Sequence, residues 1–159
     1  MFKKLNNIGD SGIICDFGEE VNREINGNVI KLFHHIKEEV SKGNLEGILN
    51  YTPSYNKLII NFDLEKTNSS KIINFLQLAD FSKLNFSQNS KRWIIPICYD
   101  LEMDLENISK KLKINKDEII NIHLNTDFFI YMIGFIPGHP FMGDLNPKLF
   151  LNPFQNHNK

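Results

Sequence analysis

The first half of the chain alternates short apolar runs with two amphipathic helical patterns. Apolar residues spaced three and four apart over 21–40 predict one long helix, and Gly43 ends it. A second helix is predicted over about 69–79, with Thr67 or Asn68 as its N-cap. Strands are predicted for the apolar runs that flank these helices: 2–8, 13–17, 45–51 and 57–62.

The apolar pattern continues in the second half with two short helices between two strand-like runs. Residues 92–99 form a β-type run, and Pro96, which has no N–H to donate, indicates a position at a sheet edge. Helices are predicted over about 104–112 and from Asn115, which stands three residues before a glutamate in a variant of the capping box. An apolar strand over 128–135 follows, and glycines and prolines punctuate the remaining chain.

A polar stretch marks a boundary between two domains. Residues 81–91 are rich in Ser and Asn and have no sustained period, which is typical of a linker. The sequence therefore predicts an N-terminal α/β domain over 1–82, a linker over 83–91 and a second domain over 92–159. A chain of 159 residues suffices for one sizeable core or two small ones.

Composition and charge exclude several classes of protein. The chain has 18 basic and 19 acidic residues, so it has no positive excess for a nucleic-acid backbone, and no nucleic-acid partner is expected. Cys15 and Cys98 lie far apart without metal-ligand spacing, so neither a disulfide framework nor a metal site is predicted. No apolar stretch resembles a signal peptide or a transmembrane helix, so we expect a cytoplasmic protein with no membrane partner.

The most distinctive segment is 134–145, GFIPGHPFMGDL. Its glycines allow positive φ and its prolines rigidify turns, so this backbone is suited to hold a ligand without further ordering. His139 lies between apolar neighbours and is a candidate general acid or base, because imidazole exchanges protons near neutral pH. On spacing alone an equally good interpretation is that the segment ends a strand while Phe135, Phe141 and Met142 fill the core.

The other candidate sites are weaker. The glycine spacing of 138–143 matches a P-loop, but Asp144 and Leu145 stand where Lys and Ser or Thr are required. His123 lies beside the apolar face of the second capped helix, where a histidine is more often a hydrogen-bonded core residue than a catalytic one. Adjacent histidines at 34 and 35 diverge around a helix, so they form no metal site by themselves.

A family resemblance is carried by the same glycine- and proline-rich segment. Residues 134–149 read GFIPGHPFMGDLNPKL and closely resemble GFxPGFPYLGGLDPRL. That signature is typical of the family containing the B subunit of 5-oxoprolinase, allophanate hydrolase subunit 1 and the sporulation kinase inhibitor KipI. Four further segments match in order, so the resemblance spans nearly the whole chain: 8–12, 17–20, 95–99 and 119–123.

The resemblance implies a fold of α/β (α+β) class and an activity. The N-terminal two-layer α/β domain is expected to be followed by the beginning of a cyclophilin-like β-barrel domain. The activity implied is ATP-dependent opening of 5-oxoproline to glutamate, with ATP used by the complex and not assigned to this chain. Expected partners are a larger A subunit and a homologous second subunit, which is of the 5-oxoprolinase C type or the allophanate hydrolase subunit 2 type. Two alternatives stay open: inhibition of a sensor histidine kinase, as by KipI, and allophanate hydrolysis.

The signature also implies a site around its own loop. The candidate catalytic residues are His123, which the resemblance indicates, and His139, which replaces the usual aromatic residue of the signature. Asp144 replaces a usual glycine, and both departures alter the shape and charge of the expected pocket. The candidate substrate-binding residues are Phe135, Pro137, Gly138, Pro140, Phe141, Met142 and Gly143.

The length of the second domain is a further expectation. Family members continue through Gly-rich strands that close the barrel, whereas this sequence stops at Lys159. An open sheet exposes strand edges and apolar side chains that a closed barrel hides. We therefore expect an incomplete barrel: either a partner chain completes it, or the sequence is that of a truncated gene or a fragment.

Overall fold

The computed structural model of the chain describes residues 2–81, 84, 90–101 and 104–151. Contacts divide the chain into two compact units, one formed by residues 1–89 and 131–141 and the other by 90–130 and 142–159. Much of the expected linker, 83–91, lies outside the described residues. The domain boundaries derived from the sequence stay a prediction.

The first unit contains a four-stranded sheet in which every neighbouring pair is antiparallel, in the order β1-β2-β4-β3. Side chains alternate between the faces of a strand, so Ile13 and Cys15 share one face with Ile60 and Leu58, their respective cross-strand partners. All four side chains are fully buried. The strands occupy the predicted places: β1 (Lys4–Ile8), β2 (Gly12–Asp16), β3 (Ile48–Pro53) and β4 (Lys57–Phe62).

Two helices cover the apolar face of this sheet and complete a two-layer α/β unit. Helix α1 spans Arg23–Ser41 and α2 spans Ser69–Leu78, both as predicted. Each helix begins at an asparagine cap, since the side chain of Asn22 accepts from the Ile25 N–H and that of Asn68 from the Lys71 N–H. Apolar residues of both helices and of β2 and β4 form one buried core, which confirms the mixed α/β class.

The described part of the second unit contains two short α-helices, which were predicted, and a 3₁₀ helix over Pro147–Leu149, which was not. Helix α3 spans Leu105–Leu112, and α4 spans Lys116–Leu124. The Asn115 side chain caps α4 by accepting from the Glu118 N–H at 2.7 Å. No closed barrel is formed by the described residues of this unit, so the beginning of a cyclophilin-like barrel stays a prediction.

Strands β5 (Phe129–Ile133) and β6 (Pro140–Gly143) form a separate two-stranded sheet. The predicted strand over 128–135 is confirmed as β5 with slightly shorter bounds. Strand β6 was not predicted, because its proline and glycine leave only two apolar side chains between them. It begins at Pro140, the position at which a strand tolerates a missing N–H.

The prediction of a strand over 92–99 is wrong, because the structure forms no strand there. Residues 91–99 lie outside both sheets, and Trp93 and Ile94 are 73% and 92% exposed. A strand is stabilised by pairing and by burial of one face, and no described strand pairs with this run. Its β-type composition therefore does not produce a strand within the described structure.

A half-buried ion pair joins β2 and β4 at their ends. The Lys57 Nζ lies 2.7 Å from the Asp16 Oδ1 and also donates to the Gly18 carbonyl at 2.7 Å. The Gly18 N–H donates to the same carboxylate oxygen at 2.8 Å. Hydrogen bonding from Lys57, followed by that from Gly18 and the charges of Lys57 and Lys3, holds the pKa of Asp16 below its usual range despite partial desolvation.

This lowered pKa predicts a loss of stability in acid. A carboxyl whose pKa is lower in the folded state stabilises the fold above its unfolded pKa, about 3.9, and loses that contribution as the pH falls through the folded value. Urea unfolding between about pH 6 and pH 3 is expected to show a smaller acid-induced loss for Asp16→Asn than for the original chain. The control is Asp10→Asn in the exposed β1–β2 turn, and equal losses for all three proteins would contradict the prediction.

Candidate functional site

The loop between β5 and β6, residues 134–139, is called the site loop because it contains the first six residues of the signature, GFIPGH. Its two ends are joined by a hydrogen bond from the Gly134 N–H to the His139 carbonyl at 3.1 Å. The Ile136 N–H donates to the Gly134 carbonyl at 2.8 Å, which closes a γ-turn centred on Phe135. Phe135 has a φ of 67°, the positive sign that this rare turn requires.

A second turn follows directly in the site loop. The His139 N–H donates to the Ile136 carbonyl at 3.2 Å and closes a four-residue β-turn. Pro137 occupies its second position and Gly138, with a φ of 80°, its third. This is the arrangement of a type II turn, in which proline presets φ and glycine accepts a positive φ. The sequence Pro-Gly therefore fixes the tip of the loop before any ligand binds.

Phe135 combines backbone strain with exposure. A bulky residue with positive φ is costly, and the side chain of Phe135 is 93% exposed. Burial of the ring does not compensate for this strain within the described structure. Strained residues of this kind cluster at binding sites, where surrounding structure holds them in place. The geometry supports Phe135 as a candidate ligand-contacting residue.

Aromatic rings connect the site loop to the body of the first unit. The ring of His139 lies 5.1 Å from that of Phe141 and meets it edge to face. The Phe141 ring in turn lies 6.2 Å from Tyr55, and Tyr55 lies 5.8 Å from Tyr131. His139 itself is exposed. The structure thus brings the candidate residues from Phe135 to Phe141 together in one hairpin.

The core-filling interpretation of the segment is wrong for two of its three residues. Phe135 is almost fully exposed and Met142 is 48% exposed. Phe141 is half-buried and packs on Tyr55. The apolar side chains of this segment are therefore partly available for contact with a ligand or a partner.

Asn26 is the residue that the sequence analysis missed. It is 1% exposed, and its Nδ2 lies within 3.0–3.2 Å of the carbonyls of Ser54, Tyr55 and Tyr131. It therefore ties α1 to the β3–β4 turn and to the strand that leads into the site loop. A signal was present in the sequence, because Asn26 stands three residues before Val29 and interrupts the apolar stripe of α1 with a polar side chain.

His123 belongs to the second unit and lies in the last turn of α4. Its Nδ1 is 2.6 Å from the hydroxyl of Tyr99, and its ring is 5.0 Å from that of Phe128. His123 is half-buried, so it has both a hydrogen-bond partner and access to solvent. This arrangement fits the interpretation of His123 as a hydrogen-bonded structural residue. A catalytic role of His123 stays a prediction.

The described residues contain no group of three His, Cys, Asp or Glu side chains arranged to hold a metal ion. Among the same residues, no helix has the length and apolar character needed to cross a lipid bilayer.

Comparison with known proteins decides the family. The family model described as carboxyltransferase domain, subdomain C and D, matches residues 3–153. The chain belongs to this family. The matched range includes the site loop, the segment containing Tyr99 and all of α4.

A named relative agrees with this assignment, and two solved structures share the fold. The chain is 29% identical to the B subunit of 5-oxoprolinase from Bacillus subtilis (strain 168) over 92% of its own length and 65% of the relative's. A crystal structure of TTHA0988 has a TM-score of 0.66 at 22% identity and covers 88% of this chain and 27% of that one. Urea carboxylase of Kluyveromyces lactis has a TM-score of 0.56 at 18% identity, over 82% and 13% of the respective chains. The two structures show the fold alone, and the chain spans about two thirds of the named relative.

The type II turn of this family member predicts opposite effects for two glycine substitutions. Gly138→Ala places a Cβ in open space at a φ of 80°, so only backbone strain opposes it, and we expect a loss of about 1 kcal/mol. Gly27→Ala, also in open space but inside α1, is expected to stabilise the chain by up to about 1 kcal/mol. Urea unfolding measures both, and equal effects of the two substitutions would contradict the turn assignment.

Proposed function

We propose that this chain is the B subunit of an ATP-dependent 5-oxoprolinase, which opens 5-oxoproline to glutamate. The observation that carries the proposal is 29% identity to a 5-oxoprolinase B subunit over 92% of the chain. The carboxyltransferase C and D family match over residues 3–153 supports it. Because that relative is named as one subunit of an enzyme, we infer two partners: a homologous second subunit of the C type and the larger A subunit.

The site loop is where we infer that the substrate binds. Its turns are closed by the chain's own hydrogen bonds, so little conformational entropy is lost when a small ligand docks there. The exposed ring of Phe135 offers apolar surface to the methylene side of a five-membered lactam. The remaining substrate-binding residues of the proposal shape this loop and the strand after it: Pro137, Gly138, Pro140, Phe141, Met142 and Gly143.

His139 is the proposed proton donor at this loop. Hydrolysis of the lactam breaks the bond between the carbonyl carbon and nitrogen, and the nitrogen must gain a proton as the ring opens. His139 is exposed at the end of the loop, with one edge contact to Phe141 holding its ring. An imidazole in this place suits general acid catalysis, because its proton reaches a ligand held by the site loop.

Nucleotide binding is not assigned to this chain. The lactam ring of 5-oxoproline is unstrained, so its hydrolysis is difficult. Coupling to ATP is therefore part of the proposed activity of the assembly. In the stretch with P-loop glycine spacing, Asp144 and Leu145 replace the required Lys and Ser or Thr, so these residues do not fit a nucleotide phosphate.

The test is an omission assay with the purified chain and its two proposed partners. Glutamate release from 5-oxoproline is expected only when all three proteins and ATP are present. Release that is unchanged when this chain is omitted would overturn the proposal. Release of ammonia from allophanate, with no glutamate from 5-oxoproline, would overturn the substrate and favour the allophanate alternative.

A further inference from the structure

Tyr99 and His123 form a short hydrogen bond in the second unit. The Tyr99 Oη lies 2.6 Å from the Nδ1 of His123, and their rings meet edge to face with centroids 5.9 Å apart. The two residues are 24 positions apart, so the tertiary fold of this unit creates the pair. Neither the family description nor the name of any relative assigns a role to Tyr99.

The surroundings of His123 hold its ring in place. The Phe128 ring lies 5.0 Å away and is tilted by 47° to the imidazole. The backbone of His123 is fixed at the end of α4, where its carbonyl accepts from the Thr126 N–H at 3.2 Å. The ring therefore has its orientation set by the helix end, by Phe128 and by the Tyr99 hydroxyl.

The direction of this hydrogen bond determines what His123 offers to a ligand. A phenol O–H is a stronger donor than a neutral imidazole N–H, and an imidazole nitrogen is a stronger acceptor than a phenol oxygen. Tyr99 is therefore the donor and Nδ1 the acceptor when the imidazole is neutral. The ring proton must then be on Nε2, because a neutral imidazole has one N–H.

Nε2 of His123 has no hydrogen-bond partner among residues 2–81, 84, 90–101 and 104–151. We propose that Tyr99 is a positioning residue that holds neutral His123 as the Nε2–H tautomer, so that His123 presents a hydrogen-bond donor and not a base. The group that it suits is a carbonyl or carboxylate oxygen of a bound ligand. That the ligand is the substrate rests on the proposed function, whereas the tautomer does not.

Nitrogen NMR of the full chain tests the tautomer directly. Long-range correlations between ring protons and nitrogens are recorded on the 15N-labelled protein at a basic pH above which the ring signals no longer change, so that the neutral imidazole is observed. His123→Gln assigns its signals among those of the five histidines. We expect a pyridine-type shift for Nδ1 and a pyrrole-type shift for Nε2. The reverse pattern would overturn the proposal.

Tyr99→Phe tests whether the hydroxyl sets the tautomer. Removing it is expected to convert a single Nε2–H form into a mixture of both tautomers, whereas Tyr51→Phe in the first unit leaves the His123 signals unchanged. An unchanged tautomer in Tyr99→Phe would overturn the positioning role. If Tyr99→Phe does not fold, the measurement on the original chain still decides the proton's place. Neither spectrum requires ATP, substrate or partners, so failure of the omission assay is distinguishable from failure of this inference.

Discussion

Asn26→Ala is expected to destabilise the first unit by about 2–4 kcal/mol. The Asn26 amide donates to three carbonyls, those of the adjacent Ser54 and Tyr55 and that of Tyr131, and the side chain is almost fully buried. Alanine removes the donor of these hydrogen bonds, and each such bond contributes about 0.5–1.5 kcal/mol to stability. The cavity left by the shorter side chain adds to this cost.

Two further variants make this result specific to the donated hydrogen bonds. Asn28→Ala removes the same side chain two positions along α1, where no side-chain hydrogen bond is made within the described structure, so it should change stability by less than about 1 kcal/mol. Asn26→Asp keeps the shape but replaces the donor by acceptors facing carbonyls, and should destabilise at least as much as alanine. Urea unfolding by circular dichroism measures all three. Similar stability of Asn26→Ala and Asn28→Ala would contradict the assigned role.

The two cysteines are expected to react with a thiol reagent at rates that differ by at least about 1000-fold. Cys15 is fully buried in β2, and burial raises the pKa of its thiol to about 12. A reagent at about pH 8 thus meets neither an accessible sulfur nor an appreciable amount of thiolate until the first unit opens. Cys98 is exposed and requires no opening.

Labelling of Cys98→Ser isolates the slow thiol. Its Cys15 should react in proportion to the small fraction of molecules in which the first unit is open. Addition of Asn26→Ala should raise that fraction, and with it the rate, by roughly 30-fold or more, the factor that corresponds to about 2 kcal/mol. Mass spectrometry at timed intervals measures both rates. Rapid labelling of Cys15 in the original chain would contradict its place in the buried core.

The elements with strong local signals were predictable from the sequence. The apolar stripe places α1, and the asparagine caps place the starts of α2 and α4, within about two residues, because capping and helical period are local properties. The 92–99 run shows the limit of that approach. Its composition favours a strand, but a strand also needs a neighbour, and pairing is not a local property.

The sequence predicts the turn at the tip of the site loop, but it does not predict the contacts of the candidate residues. The dipeptide Pro137-Gly138 is a sequence signal for a type II turn. The γ-turn at Phe135 could not be predicted, because a bulky residue rarely adopts a positive φ and the neighbouring residues carry no sequence signal for such a turn. The hydrogen bond between Tyr99 and His123 joins two residues from distant segments, so only the tertiary structure reveals it.

His139 is the residue through which the site loop is proposed to act on the substrate. The direct test is to measure the steady-state kinetics of the complete assembly with the His139→Phe variant of this chain. Phenylalanine is chosen because the family signature has it at this position. Loss of a general acid predicts a fall in kcat of about 100-fold with little change in KM, because the loop and its aromatic contact are kept. A kcat within about twofold of the original would contradict the proposed role, since His139 would then only fill the aromatic position.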